Sequence, residues 1–182
     1  MITPERLFLE RKMAMAFREI SPEELRDNPF TLINKDWMLI TAGDKESHNT
    51  MTASWGGVGE LWGRYVSTIY IRPQRYTLEF VEREDYYSLC FFDESYRPAL
   101  NFCGSKSGRD YDKDKETGLT PCFDQAAPYY QQARLVFFCR KLYRQDMAED
   151  SFLDKEVLAK NYPQNDLHRM FIGEIVKVLE RV

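Results

Sequence analysis

The run Asp85–Phe92 (DYYSLCFF) constrains the fold more than any other stretch of this chain. It is β-rich in composition and has no continuous polar face. A half-solvated strand alternates apolar and polar residues, whereas a strand apolar on both sides belongs in the middle of a covered sheet. Other segments read as its neighbours. Trp37–Thr41 is a strand within the hydrophobic run Asp36–Ala42 (DWMLITA), and Tyr65–Ile71 (YVSTIYI) alternates as a strand should. Tyr129–Tyr143 is β-rich around Leu135–Cys139, and His168–Leu179 (HRMFIGEIVKVL) closes the chain as a long strand. Aromatic residues make up 14% of the chain, with eleven Tyr and twelve Phe, which favours a β-rich interior.

The helical signals are short. Met13–Phe17 is either a short strand or the end of an arm. Ser21-Pro22-Glu23-Glu24 is a helix start, with Ser as cap, Pro at the first position and Glu at the third, and Asn28-Pro29 ends that helix. Pro73 opens a second helix, with Tyr76, Phe80 and Val81 on one side through Glu84. Pro98–Phe102 is a third, and a fourth opens at Ser151–Asp154 and runs to about Lys160. Strands with short helices between them argue for a barrel with excursions, not for alternating β-α units. Gly56-Gly57-Val58-Gly59 fails the G-x-G-x-x-G pattern, because Trp62 takes the last position. That stretch reads as a flexible loop over the preceding site.

Several function classes fall away. The 182 residues suggest one domain, residues 1–182, with a core of about 28–178 and an N-terminal arm 1–27. The net charge of −4 comes without a basic block, so nucleic acid is not an expected partner. No apolar run approaches the roughly 20 residues that cross a bilayer, so no membrane is expected either. MITPERLFLERK interleaves charges and lacks the apolar core of a secretion signal, so a cytoplasmic location is expected. Cys90, Cys103, Cys122 and Cys139 form no C-x-x-C pair, which fits reduced thiols, and two histidines make a His-rich metal site unexpected.

Two polar stretches carry the candidate chemistry. His48–Gly57 (HNTMTASWGG) gathers short hydrogen-bonding side chains and a tryptophan on what reads as a connection between strands. Cys103–Asp110 (CGSKSGRD) offers glycines that let backbone N–H groups approach an anion, with Lys106, Arg109 and two serines beside them. The plainer alternatives are a Ser/Thr-rich turn and a solvated basic turn followed by the charge run Asp110–Glu116, itself a flap or a solvated surface.

Read together, N-T-M-T-A-S-W, then R-P-x-R-Y-T (Arg72–Thr77), C-G-S-K-S-G-R-D-x-D-K (Cys103–Lys113), G-L-T-P (Gly118–Pro121) and H-x-x-F-I-G-E-I (His168–Ile175) occur in that order. The chain resembles the flavin reductase-like family, near its flavoredoxin-type branch, over roughly residues 28–178. The resemblance implies a mainly β, antiparallel Greek-key split barrel that binds FMN without a Rossmann fold, as a homodimer with the flavin near the subunit interface. It places Asn49, Thr50, Met51, Thr52 and Ser54 against the flavin. Trp55 either walls the ring or belongs to the core. A phosphate wants amides, hydroxyls and guanidinium forks, and Cys103, Gly104, Ser105, Lys106 and Ser107 with Arg72 or Arg75 are the candidates. Arg75 and Tyr76 face the ribityl-phosphate, or else serve as surface charge and core. Arg109 and Asp110 pair with each other in a structural reading. Cys103 is a redox thiol or, more simply, a small buried hydrophobe. His168 either stands near the flavin as the one catalytic candidate or is only hydrogen-bonded. The implied function is an FMN-dependent oxidoreductase drawing hydride from NADH or NADPH; the alternative is a non-enzymatic FMN carrier or sensor.

Overall fold

The computed structural model describes residues 17–182. Met13–Ala16 of the possible first strand, and the arm before them, lie outside the described residues. Ten strands run in chain order: β1 (Phe17–Ile20), β2 (Met38–Gly43), β3 (His48–Ala53), β4 (Gly56–Leu61), β5 (Arg64–Ile71), β6 (Tyr86–Phe91), β7 (Pro121–Cys122), β8 (Tyr129–Tyr130), β9 (Leu135–Asp146) and β10 (Arg169–Arg181). The α-helices are α1 (Pro29–Thr31), α2 (Thr77–Arg83), α3 (Arg97–Ser105), α4 (Lys113–Thr117) and α5 (Lys155–Asn161). The main sheet is antiparallel in the order β3-β2-β6-β9-β10-β5-β4, and β7 pairs with β8. β10 is the spine. One edge pairs with β9 along its length, while the other pairs first with β5 and then, from Val178, with β1. This is an antiparallel Greek-key split barrel.

The pleat explains why the central run has no polar face. Tyr87, Leu89 and Phe91 of β6 enter the barrel core with Ile40, Ile69, Phe137 and Phe171. Cys90 points the other way, into a second core with Leu39, Val136, Phe138, Leu100 and Tyr130. Strands β2 and β6 and the first part of β9, Leu135–Cys139, are thus buried on both faces, as a near-continuous apolar sequence requires.

Two expectations need correction. Gly56–Gly59 is strand, not a loop. Gly56 sits where a Cβ would lie 2.7 Å from the Thr68 carbonyl oxygen of β5, so the glycine is there for close backbone approach. Trp62-Gly63 closes the β4–β5 hairpin in two residues, both left-handed at φ 57° and 68°, the geometry of a type I′ turn. Ser21–Glu24 does form its capping box, but it caps a single 3-10 turn, and Asn28 starts α1 through a hydrogen bond to the Phe30 N–H rather than only ending a helix.

Gly173 sits at a register shift in β10, and a Cβ there would lie 2.4 Å from the buried Tyr87 hydroxyl, which is itself 2.8 Å from Ser67 Oγ. Gly173→Ala is expected to cost about 1–3 kcal/mol by overpacking. Urea denaturation measures it, and adding Tyr87→Phe to the same chain should recover part of the loss.

Candidate functional site

The first polar stretch is an edge strand. As β3, it sends alternate side chains to opposite faces. Asn49, Met51 and Ala53 face one way, and Met51 and Ala53 close the barrel core. Thr50 faces the other way, where its hydroxyl is 2.9 Å from Thr41 Oγ1 and donates to the Ile40 carbonyl. These two bonds and its near-complete burial take the Thr50 side chain out of reach of a ligand. Thr52 donates to the Leu100 carbonyl of α3, and Gly104 lies so close that a Cβ would meet Thr52 at 3.2 Å.

The second polar stretch begins as helix. Cys103, Gly104 and Ser105 are the last turn of α3, so they do not offer the open loop amides expected of them. What the last turn offers is carbonyls. Arg75 donates to the Gly104 carbonyl, and Lys113 Nζ donates to the Cys103 carbonyl at 2.9 Å and to the Thr50 carbonyl at 2.6 Å. Cations suit a helix C-terminus, where the carbonyl dipoles concentrate negative charge. The Cys103 side chain is fully buried and burial pushes its thiol up to about 11, so it is the small hydrophobe and not a reactive thiol.

The two stretches share one groove. Its first hollow, about 160 Å³, is lined by Met51, Thr52, Ala53, Ser54, Trp55, Tyr70, Arg72, Arg75 and His168. The second, about 170 Å³, adds Asn49, Tyr76, Ser105, Lys106, Ser107 and Lys113. Met51 and Arg75 belong to both. Joined, they reach the lower end of the size range of small-molecule sites, roughly 300 Å³ upward. Of the residues singled out in the sequence, Thr50, Cys103, Gly104, Arg109 and Asp110 fall outside this lining.

The ends differ in chemistry. At the aromatic end, Trp55 is 46% exposed and lies 5.3 Å, centroid to centroid, from the His168 ring. His168 Nδ1 is 2.8 Å from the Tyr162 hydroxyl, and burial, helped by Arg72, pulls its pKa down to about 4. Arg72 is here and not at the serine-rich end: it pairs with Asp166 and donates to the Asn161 carbonyl. At the cationic end, Arg75 and Lys113 have no carboxylate within salt-bridge distance among the described residues. Burial lowers the Arg75 pKa, with Arg72 adding to it, and burial brings Lys113 down to about 8. Lys106 lies over the Tyr111 ring. Arg109 does not pair with Asp110; it pairs with Glu79 and stacks 4.4 Å over Tyr76. Gly108 lets this loop press against β3, since a Cβ would sit 1.9 Å from Asn49 Oδ1.

Lys113 was not among the sequence candidates. It is only 7% exposed, in a charge run that reads as flap or surface. The run is ordered instead as α4, capped by Asp112 and ended by Gly118 at φ 71°. Those caps are visible in the sequence; the burial of one lysine among its acidic neighbours is not. Tyr70, Tyr162 and Asp166 were also missed. The arrangement fits an elongated ligand with an anionic tail and a planar head: one buried and one half-buried cation without counter-charge at one end, an exposed indole and a neutral imidazole at the other. Among the described residues, no group of three or more His, Cys, Asp or Glu could hold a metal ion, and no helix is long and apolar enough to cross a membrane.

Comparison with known proteins gives a consistent family. The flavin reductase like domain matches residues 31–181. No curated protein sequence is significantly similar. Among solved structures, flavoredoxin from Methanosarcina acetivorans is 19% identical, with TM-score 0.61, covering 79% of this chain and 67% of that one. An FMN-binding domain of a flavin reductases-like enzyme from Shewanella baltica OS155 is 14% identical, with TM-score 0.63 and coverage of 91% and 77%. Nitrilotriacetate monooxygenase component B from Bacillus cereus is 15% identical, with TM-score 0.62 and coverage of 87% and 79%.

The depressed pKa of His168 has a sign. The folded state resists protonation that the unfolded chain accepts below about 6.5, so stability is present above that pH and is lost as pH falls toward 4. Denaturant unfolding should show about 2 kcal/mol lost to this group between pH 7 and pH 5, a component absent from His168→Gln.

Proposed function

The chain belongs to the flavin reductase-like family, and from that premise we propose that it is an FMN-binding oxidoreductase drawing hydride from NADH or NADPH. One observation carries the reading: an aromatic hollow and a cationic hollow adjoin and share Met51 and Arg75 in their linings. Arg75, Lys106 and Lys113, with Ser105 and Ser107, would hold the phosphate. Asn49, Thr52 and Ser54 line the stretch suited to the polar chain, and Trp55, Tyr70 and His168 border the place suited to the ring. Bound FMN supplies the redox chemistry, accepting hydride and releasing electrons.

The protein's own groups orient and insulate. His168 stays neutral through the physiological range, so it offers a hydrogen bond and a wall rather than a positive charge. Arg72 is paired with Asp166, which leaves the aromatic end near neutrality. No acid–base pair is required of the protein, because the proton and electron chemistry resides in the cofactor. We further propose a homodimer. Phe30, 82% exposed, and Trp55 flank a hollow beside the groove, an apolar surface suited to cover by a second copy. Light scattering after size-exclusion chromatography should then give twice the chain mass.

Purified protein mixed with FMN should take up the flavin, and anaerobic NADH or NADPH should bleach its visible band within seconds. Uptake without bleaching would point to the electron carrier instead, and no uptake would overturn the cofactor assignment. Arg75→Ala should weaken FMN by roughly 10–100-fold, the worth of a charge-assisted hydrogen bond, while riboflavin, which has no phosphate, binds unchanged.

A further inference from the structure

Lys113 is held in an unusual way for a buried ammonium. Two of its three N–H donors are spent on the carbonyls of Thr50 and Cys103. The third is uncommitted among the described residues, and Lys113 lines the hollow that holds Arg75, Ser105 and Ser107. No carboxylate neutralises it. Asp114, its neighbour on α4, is turned away: one oxygen accepts from His48 Nε2 at 2.7 Å and the other from the Tyr130 hydroxyl at 2.8 Å. That clamp fixes α4 against β3 and β8 and so fixes where Lys113 points.

We propose that Lys113 is the proton-linked member of an anion subsite, so that a phosphate monoester bound between Lys113 and Arg75 takes up one proton at Lys113 Nζ. This rests on the FMN reading for its physiological ligand, but the subsite chemistry asks only for a phosphate monoester. In the free protein, burial and the nearby Arg75 charge bring Lys113 to about 8. A dianion beside it restores the charged form, and the proton comes from solvent. Several other elements face Lys113. From α3, the Cys103 thiol is pushed up to about 11. From the turn before α2, Arg75 remains cationic. From β3 come the Asn49 amide and His48, the latter held by Asp114; from β8 comes Tyr130, raised far above its ordinary range. Asp112 caps α4, and Lys106 and Ser107 lie on the loop before it. The phosphate monoester is itself already dianionic, its second ionisation lying near ~6.

The test is titration calorimetry of the whole chain with FMN and with riboflavin at pH 8, in two buffers of different ionisation enthalpy. FMN should bind with uptake of about half a proton, and its affinity should fall by up to about tenfold for each pH unit above 8. Riboflavin should show no uptake. Lys113→Arg should keep FMN binding and abolish the uptake, because a guanidinium stays charged. Lys113→Met should weaken FMN about tenfold or more, with riboflavin unchanged; if that variant fails to fold, the arginine variant carries the test. FMN binding without proton uptake in the wild type, or uptake that persists in Lys113→Arg, would overturn the proposal. Inorganic phosphate is titrated alongside. Phosphate binding with uptake where no flavin binds would retire the FMN reading and sustain this one; absence of both would overturn both.

Discussion

The seam between strand β3 and the last turn of helix α3 governs the rest of the molecule. Thr52 donates to the Leu100 carbonyl, and Gly104 is bare where any side chain would meet Thr52. The helix therefore lies almost in contact with the strand. Its terminal carbonyls, which every helix leaves without intrahelical partners, then need donors from elsewhere in the chain. Arg75 and Lys113 satisfy them. An element needed to cover the second core thus brings two cations into the groove as a consequence of its own hydrogen-bonding needs.

This coupling explains why the anion end is made of side chains. The end of a helix that points at the groove is the C-terminus, and its dipole repels an anion. The two cations more than offset that field because each carries a full charge against the roughly half charge of the helix end. The residual field is positive and local. At the opposite end, Asp166 cancels Arg72, and His168 is held neutral by burial. Charge separation along the groove comes from which arginine has a carboxylate and which does not.

Much of the fold was legible in the sequence because burial writes itself into periodicity. Strand β6 has apolar residues on both faces and reads as central, and Pro73 marks the approach to α2. Three features were not legible. The glycines of β4 read as a loop, since composition alone does not distinguish flexibility from close packing against Thr68. The stretch His48–Ala53 also read as a connection, because an edge strand of Asn, Thr and Met lacks a clean apolar alternation; burial of Thr50 against Thr41 and Ile40 then excluded it. Cys103–Ser105 looked like a glycine loop, although the helix begun at Arg97 runs through it. The site's two stretches were visible. The residue that ties them together, Lys113, was hidden in a charge run whose burial depends on carbonyls from two distant segments.

The choice of lysine over arginine at that position follows from the same geometry. Its ammonium fits between two carbonyls from different elements, the Thr50 and Cys103 oxygens, and makes both contacts from a single atom. A guanidinium is planar and forked, and would reach the two carbonyls through separate nitrogens rather than from one point. The compact ammonium also responds strongly to burial, whereas arginine keeps its charge. A structural pin built from lysine is therefore titratable, and one built from arginine is not. Arg75, half-buried beside it, supplies the permanent charge, while Lys113 supplies charge that depends on what lies next to it. Structural need and ligand response are thus carried by one side chain, which is why His48 of β3 and Tyr130 of β8, which hold α4 through Asp114, belong to the site although they line only its outer margin.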